Sequence, residues 1–318
     1  MTELSPHVAN GTRVTFPAGA VSGASCVLAS GPWGLIVDQT PFHPFNARWP
    51  DQPSDTGSII VAGRPVSVVD CQVGAVEFGS GRLVIGPDLP VSHGAEGWHW
   101  VVVHVLDRDV DVPVGSEVSL WVEAGRRHEL SAVHTARHLS GLALNTMLAS
   151  LWSQGMPADS LGNPNFDELA MSSSAVTTHG FRDTYRIRTL SAQGGGALDA
   201  EHLDSLVTIL GMAVTDRIHR WLARRAPIRL VAAGPYLADP RAWECDLAQG
   251  TARVVCDGTH TADLGVIAGI EVTAALTESR TELALTGSVT AAAPGTRRRT
   301  GPYRAARHIH TGLMAIRH

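Results

Sequence analysis

The chain has 318 residues, 44% of them apolar, and a formal net charge of −5. That length excludes one small domain and suits one large or two medium domains around a real core. No run approaches the ~18 uninterrupted apolar residues of a membrane span, and the overall charge does not announce a nucleic-acid partner.

The first residues carry no basic cluster and no apolar stretch, so no signal peptide is expected. Cys26, Cys71, Cys245 and Cys256 lie far apart, which is no disulfide framework and fits a reducing cytoplasm. Lysine is absent, so every strong positive charge is arginine, which grips phosphate bidentately. Arginines gather at Arg217, Arg220, Arg224, Arg225 and Arg229, and again at Arg297, Arg298, Arg299, Arg304 and Arg307. The two clusters read equally as solvated faces or as phosphate-binding patches.

Residues 11 to about 123 read as β structure. Short runs at 14–16, 35–37, 58–62 and 100–103 are rich in β-branched and aromatic residues and are punctuated by Gly, Pro, Asp and Ser. That spacing suits a small barrel or sandwich better than βαβ units. A turn at Val112-Pro113-Val114-Gly115 leads into a last strand at 117–122. Character changes near 130. Ser131 is placed as the N-cap of a helix over about 132–153, with an apolar face from Leu139 to Trp152. Residues 154–180 read as a loop or insertion, and 182–190 as a strand. The stretch Ser191–Gly196 reads as a flexible connection. A second long helix is expected over about 199–225, with Leu203, Leu206, Leu210, Ala213, Val214, Ile218 and Leu222 at helical spacing. Strands follow at 228–232, 252–255 and 265–273, and the tail from Pro294 is arginine-rich. The reading is α+β, with a β-barrel-like first domain over 1–127 and an α+β second domain over 128–318.

Two strings carry the best metal ligands. His134-Thr135-Ala136-Arg137-His138 puts two imidazoles at i and i+4, on one face of a helix. Cys256-Asp257-Gly258-Thr259-His260 pairs a thiol with an imidazole, and Gly258 gives the backbone freedom to curl round an ion. Together they could complete one tetrahedral zinc. Spacing alone is weak, because fifteen histidines give roughly 0.7 His-x-x-x-His pairs by chance.

The letters around these ligands add more. Val133 to Leu139 closely resembles the H-T-A-T-H-L motif of alanyl-tRNA synthetase editing domains, and Cys256 to Ile267 resembles their C-G-G-T-H-V motif with the segment after it. Asp38-Gln39-Thr40-Pro41-Phe42-His43-Pro44, then Gln52-Pro53-Ser54-Asp55-Thr56-Gly57, resembles D-x-T-P-F-Y-P-E-G-G-G-Q-P-S-D-T-G of free-standing AlaX-type editing proteins. Val214 to Ile218 resembles the family's V-N-x-x-I more faintly. The strings occur in family order between about 35 and 270. The resemblance implies a trans-editing deacylase that hydrolyses the ester joining a wrong amino acid to the 3′ end of a tRNA. It also implies a β-barrel-like domain paired with a zinc-containing α+β editing domain, the active site lying between them.

The chain departs from the pattern between Pro44 and Gln52, where Phe45-Asn46-Ala47-Arg48-Trp49-Pro50-Asp51 is longer and lacks the glycine run, and His43 replaces the usual Tyr. In the family this loop lines the aminoacyl pocket. His43, Arg48 and Trp49 are therefore candidate substrate-binding residues; a surface loop that tolerates insertion is the plainer alternative. The family substrate is seryl- or glycyl-tRNA charged on the alanine tRNA. A reshaped pocket would suit a bulkier β-hydroxy amino acid, threonine or an analogue, and fluorothreonyl-tRNA deacylases are similar to this family. Thr40 matches the family Thr and is the candidate contact to a substrate hydroxyl. Gln52 and Asp55 are candidates for orienting substrate or water, Asp55 equally a turn residue before Gly57. His134, His138, Cys256 and His260 are the candidate zinc ligands. Four protein ligands make a closed site of structural type, so one of them, His260 or Cys256, is expected to yield, or zinc positions substrate while other groups handle water. The competing readings are a zinc-stabilised tRNA-binding module and a zinc esterase for a small ester.

Overall fold

A computed structural model of the chain describes residues 8, 10–47, 51–151, 156–187 and 200–293. Arg48, Trp49, the 191–196 connection and the tail from Pro294 lie outside the described residues, as do the side chains of Leu203 and Leu206.

The first half is built of strands: β1 (Arg13–Val14), β2 (Ser22–Gly31), β3 (Gly34–Val37), β4 (Gln39–Thr40), β5 (Gly57–Val61), β6 (Arg64–Glu77), β7 (Leu83–Ile85), β8 (Trp98–Leu106) and β9 (Glu117–Val122). Seven of them form one sheet in the order β5-β9-β2-β3-β8-β6-β7, and a further antiparallel pairing of β5 with β6 turns that order into a ring. β9 alternates exposed and buried residues, as a strand with one dry face must. The core of β8 is buried on both faces: Trp100 and Val102 join one apolar cluster, Val101 and Val103 another. The two-residue strands β1 and β4 pair in parallel beside this sheet and hold the segment that leads to Thr40.

The long helix α1 spans Ala124–Leu148, starting about two turns before Ser131. Ser131 is therefore no N-cap; it is buried inside the helix and its Oγ donates to Thr259 Oγ1 at 2.9 Å. The apolar pattern misplaced the start because the first turns are polar, yet Arg127, Ser131, His134, Thr135, Arg137 and His138 are all buried. The boundary expected between 127 and 128 falls inside this helix.

The expected loop over 154–180 holds a short helix, α2 (Phe166–Ala170), and β10 (Met171–Val176). β11 (Gly180–Arg186) and α3 (Ala200–Leu222) fall close to the expected strand and helix. Next come β12 (Ile228–Ala232), β13 (Arg241–Leu247), β14 (Gly250–Val255), β15 (Ile267–Leu276) and β16 (Glu282–Ala291). A four-stranded sheet, β10-β11-β16-β15, carries α1 and α3, and β12-β13-β14 forms a three-stranded sheet. α3 lies close on β15: a Cβ added to Gly211 would meet the Val272 carbonyl oxygen at 2.7 Å. The chain is thus a strand-rich mixed α and β fold, with α1 running from the first sheet into the second core.

Candidate metal centre

α1 presents His134 and His138 one turn apart, both buried. The segment after β14 brings Cys256 and His260 against them. One ligand atom from each of the four lies within 4.8 Å of all the others. Cys256 Sγ is 3.7 Å from His134 Nε2 and 3.2 Å from His260 Nε2. Edges of about 3.3–3.8 Å are what a tetrahedron of ligands 2.0–2.3 Å from an ion requires. His138 Nε2 is buried without a hydrogen-bond partner, and a buried imidazole nitrogen without a partner is costly unless something fills the place. The four residues therefore fit a metal ion.

Neighbouring groups fix how the ligands face the centre. His134 Nδ1–H donates to Gln52 Oε1 at 2.5 Å, which turns Nε2 towards Cys256 and Asp51. Thr135 gives its hydroxyl proton to the Ser131 carbonyl and so accepts from His260 Nδ1–H at 3.2 Å. Gly258 N–H donates to Cys256 Sγ at 3.3 Å. The reason for glycine at 258 is space. A Cβ there would sit 2.2 Å from His134 Cε1 and 2.7 Å from Gln52 Oε1, and its φ is not among the positive ones. Freedom to curl, the reason expected from sequence, is not what the position uses.

Burial holds His138 and His260 well below the usual imidazole range, so both are neutral donors. Burial works the same way on His134, but the Cys256 thiolate and the Asp51 carboxylate more than offset it and push the ring up to about 10. Asp51 Oδ2 lies 3.3 Å from His134 Nε2. Burial would raise Asp51, yet its contact with His134 brings it down to about 2. The Asp51 carboxylate and the Cys256 sulfur thus face the same imidazole nitrogen.

Gln52 joins both ligand strings. Its Oε1 also accepts from Thr259 N–H at 3.0 Å, and its Nε2 donates to Thr259 Oγ1 at 2.9 Å. His43 is buried, with Nδ1 3.5 Å from Gln52 Nε2, and burial lowers it to about 4. Asp55 is buried and satisfied: it accepts from His43 N–H at 2.5 Å and pairs through both oxygens with Arg127 of α1. Thr40 is fully buried; its hydroxyl donates to His104 Nε2 at 2.8 Å and accepts from Phe42 N–H. Those contacts tie Thr40 to β8 and Asp55 to α1, and neither residue lines the cavities described next.

Two cavities flank the cluster. One, of about 480 Å³, is lined by His43, Asp51, Gln52, His138 and Cys256, and also by Asn145, Asp159, Ser160 and Asp167. The other, of about 740 Å³, is lined by His260, Thr259, Ser131, His128 and Arg225. Beside His138, buried Arg137 is held by Asp183 at 3.1 Å and Asp167 at 3.2 Å, and Tyr185 OH donates to both acids. Sequence reasoning missed Asp51, Arg127 and Arg137 as builders of this region. It also missed Thr135 and Thr259, and their place inside the two ligand strings is the signal that could have found them.

No protein-family model matches the chain. Over 123 residues, 38% of the chain, it is 31% identical to alanine–tRNA ligase of Methanothermobacter thermautotrophicus. The match spans 11% of that ligase, so the chain is similar to a small part of a tRNA-charging enzyme. Among the described residues no helix is long and apolar enough to cross a membrane.

Proposed function

We propose that the protein is a zinc-dependent aminoacyl-tRNA deacylase that hydrolyses the ester of a mischarged tRNA. The observation that carries this reading is the side chain of Gln52. It ties the segment resembling Q-P-S-D-T-G to His134 in one ligand string and Thr259 in the other. The partial identity to an alanine–tRNA ligase supports the same reading. Three imidazoles and one thiolate suit zinc better than a hard, oxygen-loving cation. Zinc with an open position lowers the pKa of a bound water towards ~7 or polarises a carbonyl.

The chain's own residues supply the rest. His134 and His260 are held by partners on Nδ1, whereas His138 Nδ1 faces the Arg137 guanidinium at 3.4 Å. That donor disfavours the tautomer that ligates through Nε2, so His138, and not Cys256 or His260, is the ligand that yields. Asp51, ionised at neutral pH beside the cluster, accepts from the water or the substrate's ammonium. Gln52 is a positioning residue. The cavity that His43, Asp51 and Gln52 line is where the side chain of a β-hydroxy amino acid such as serine, threonine or fluorothreonine would sit, with Ser160 also on its lining. Arg48 and Trp49 belong to this proposal as neighbours of Asp51 in sequence. The domain division near 127 and a location in the cytoplasm go with it.

A deacylation panel on seryl-, threonyl- and fluorothreonyl-tRNA tests the reading, run with metal-loaded and chelator-treated protein. Metal-dependent hydrolysis of at least one ester is expected. A strong preference for seryl-tRNA would overturn the enlarged pocket, and no hydrolysis of any would overturn the deacylase. A closed four-ligand site favours one second reading, a metal-stabilised tRNA-binding module, which binds tRNA and hydrolyses none of the three.

A further inference from the structure

Beyond the candidate metal centre, the C-terminal end of α3 and the turn after it collect three cations without ion-pair partners among the described residues. Arg217 and Arg220 stand at i and i+3 on α3, a spacing that stacks side chains on one helix face, and Arg224 follows in the turn just past the helix end at Leu222. With Trp221 and Gln249 they line a surface cavity of about 310 Å³. Among the described residues none of the three has an ion-pair partner, although Asp216 is their chain neighbour. Arg229, from the same sequence cluster, differs: it pairs with Asp246 at 3.0 Å and lies 3.7 Å from Glu244. Arg217 lies over the Trp221 ring at 6.0 Å, and its Nε is buried without a hydrogen-bond partner. Trp221 is itself fixed, donating from Nε1 to Gln249 Oε1 at 2.8 Å.

A helix C-terminus attracts cations, but it carries only about half an elementary charge. Three arginines exceed what the dipole neutralises, on a chain whose formal net charge is −5. A multivalent anion is the ligand that such an arrangement fits, and arginine forks match phosphate oxygens. The stripe also leads somewhere. Arg225 follows Arg224 directly, at φ 49°, a conformation helix ends normally give to Gly or Asn. Its side chain lines the cavity that His260 of the metal cluster also lines. The cations thus run from an open face at the end of α3 to the cavity that Arg225 and His260 both line.

We infer that Arg217, Arg220 and Arg224 bind the phosphate backbone of a tRNA, with Arg225 continuing the cationic track towards the metal centre. This rests on the deacylase reading for the identity of the RNA, and it adds where that RNA lies. Backbone contacts of this kind position without reading sequence. Each releases counterions, so the affinity falls with salt in proportion to the contacts made.

The test uses the full chain and uncharged tRNA, with binding read by fluorescence anisotropy across a series of NaCl concentrations. The triple variant Arg217→Gln, Arg220→Gln, Arg224→Gln is compared with the parent. The slope of log affinity against log salt is expected to become shallower by about 2–3, and binding at 0.1 M salt to weaken about 100-fold. Hydrolysis of a 3′-aminoacyl adenosine, which lacks the phosphate chain, is expected to be unchanged, and the triple Arg→Lys variant is expected to keep the parent slope. Should the triple Gln variant not fold, Arg220→Glu, at an exposed position, is expected to lower the slope by about 1 or more. A parent-like slope and affinity in the folded Gln or Glu variant overturns the patch, even where aminoacyl-tRNA is hydrolysed. A reduced slope in a protein that hydrolyses no aminoacyl-tRNA upholds the patch and removes the deacylase.

Discussion

Gln52 is the residue at which the candidate centre can be taken apart most cleanly. It is 2% exposed, and its side-chain oxygen accepts from both His134 Nδ1–H and Thr259 N–H. Gln52→Leu preserves most of the volume and removes the one oxygen that both donors share. Two buried donors left without partners cost about 1–3 kcal/mol each, so roughly 2–6 kcal/mol in all. Part of that is paid by the metal, because His134 loses the bond that selects its ligating tautomer. Loss of such a supporting partner lowers metal affinity about 10–100-fold, or about 1.4–2.7 kcal/mol. The remainder shows as lost stability of the metal-free protein. Gln52→Glu keeps the acceptor and sets a carboxylate behind the ring, which makes the imidazole a better donor. Competition with a fluorescent chelator gives the zinc affinity, and urea unfolding of the metal-free chain gives the stability. The expected order of affinity is Glu at or above the parent, with Leu at least tenfold below. An affinity for the Leu variant within threefold of the parent, alongside lower stability, refutes the supporting role and leaves Gln52 a strut.

Gly258→Ala should strip the centre, since the new methyl falls on the His134 ring, whereas Gly269→Ala, with nothing within 4 Å, should keep parent metal content by elemental analysis. Arg127→Met abandons the buried Asp55 carboxylate and should lower stability to urea by about 3–5 kcal/mol; a loss under 1 kcal/mol would contradict the pairing. Burial holds His104 neutral down to about 4 against an ordinary 6.5. The unfolded chain takes up a proton that the native chain refuses. Its contribution to stability is therefore complete above pH 6.5 and is lost as pH falls towards 4, by up to ~1.4 kcal/mol per pH unit. His104→Gln should make that limb shallower by one proton in urea titrations, and an unchanged limb would count against the assignment.

The sequence was most legible where apolar periodicity and burial agree. Ile228–Ala232 and Glu117–Val122 are strands where their β-branched residues put them. It was least legible where polar residues are buried. The first turns of α1 show no apolar stripe, because the face turned inward there is Arg127, Ser131, His134 and Thr135, satisfied by Asp55, Thr259, Gln52 and His260. Those partners lie far along the chain, and no local pattern announces them. The two ligand strings were visible as letters, but their convergence depends on Gln52, whose role no spacing rule supplies. α2 and β10 were missed for a related reason. Their stretch is rich in serine and asparagine, and Asn165 caps α2 by accepting from Glu168 N–H, a use of polar residues that resembles loop composition.

The buried polar face of α1 also explains why one helix can serve both stability and chemistry. Burying polar groups is tolerable only if each finds a partner. Along α1 the partners alternate between the 40–57 segment and the 256–261 segment: Arg127 to Asp55, Ser131 to Thr259, His134 to Gln52, and Thr135 to His260 and Thr261. His138, the last of this row, is the one whose Nε2 has no partner. That nitrogen is one of several buried polar atoms without a partner among the described residues, and the one that belongs to the cluster of His134, His138, Cys256 and His260. An ion shared by the four side chains would give it a partner. It also completes the thiolate and two imidazoles already facing it, which is why loss of Cys256 and loss of His138 should be felt together when zinc affinity and stability are measured on the single and double Ala variants. Additive effects in that cycle would mean the two residues never share an ion.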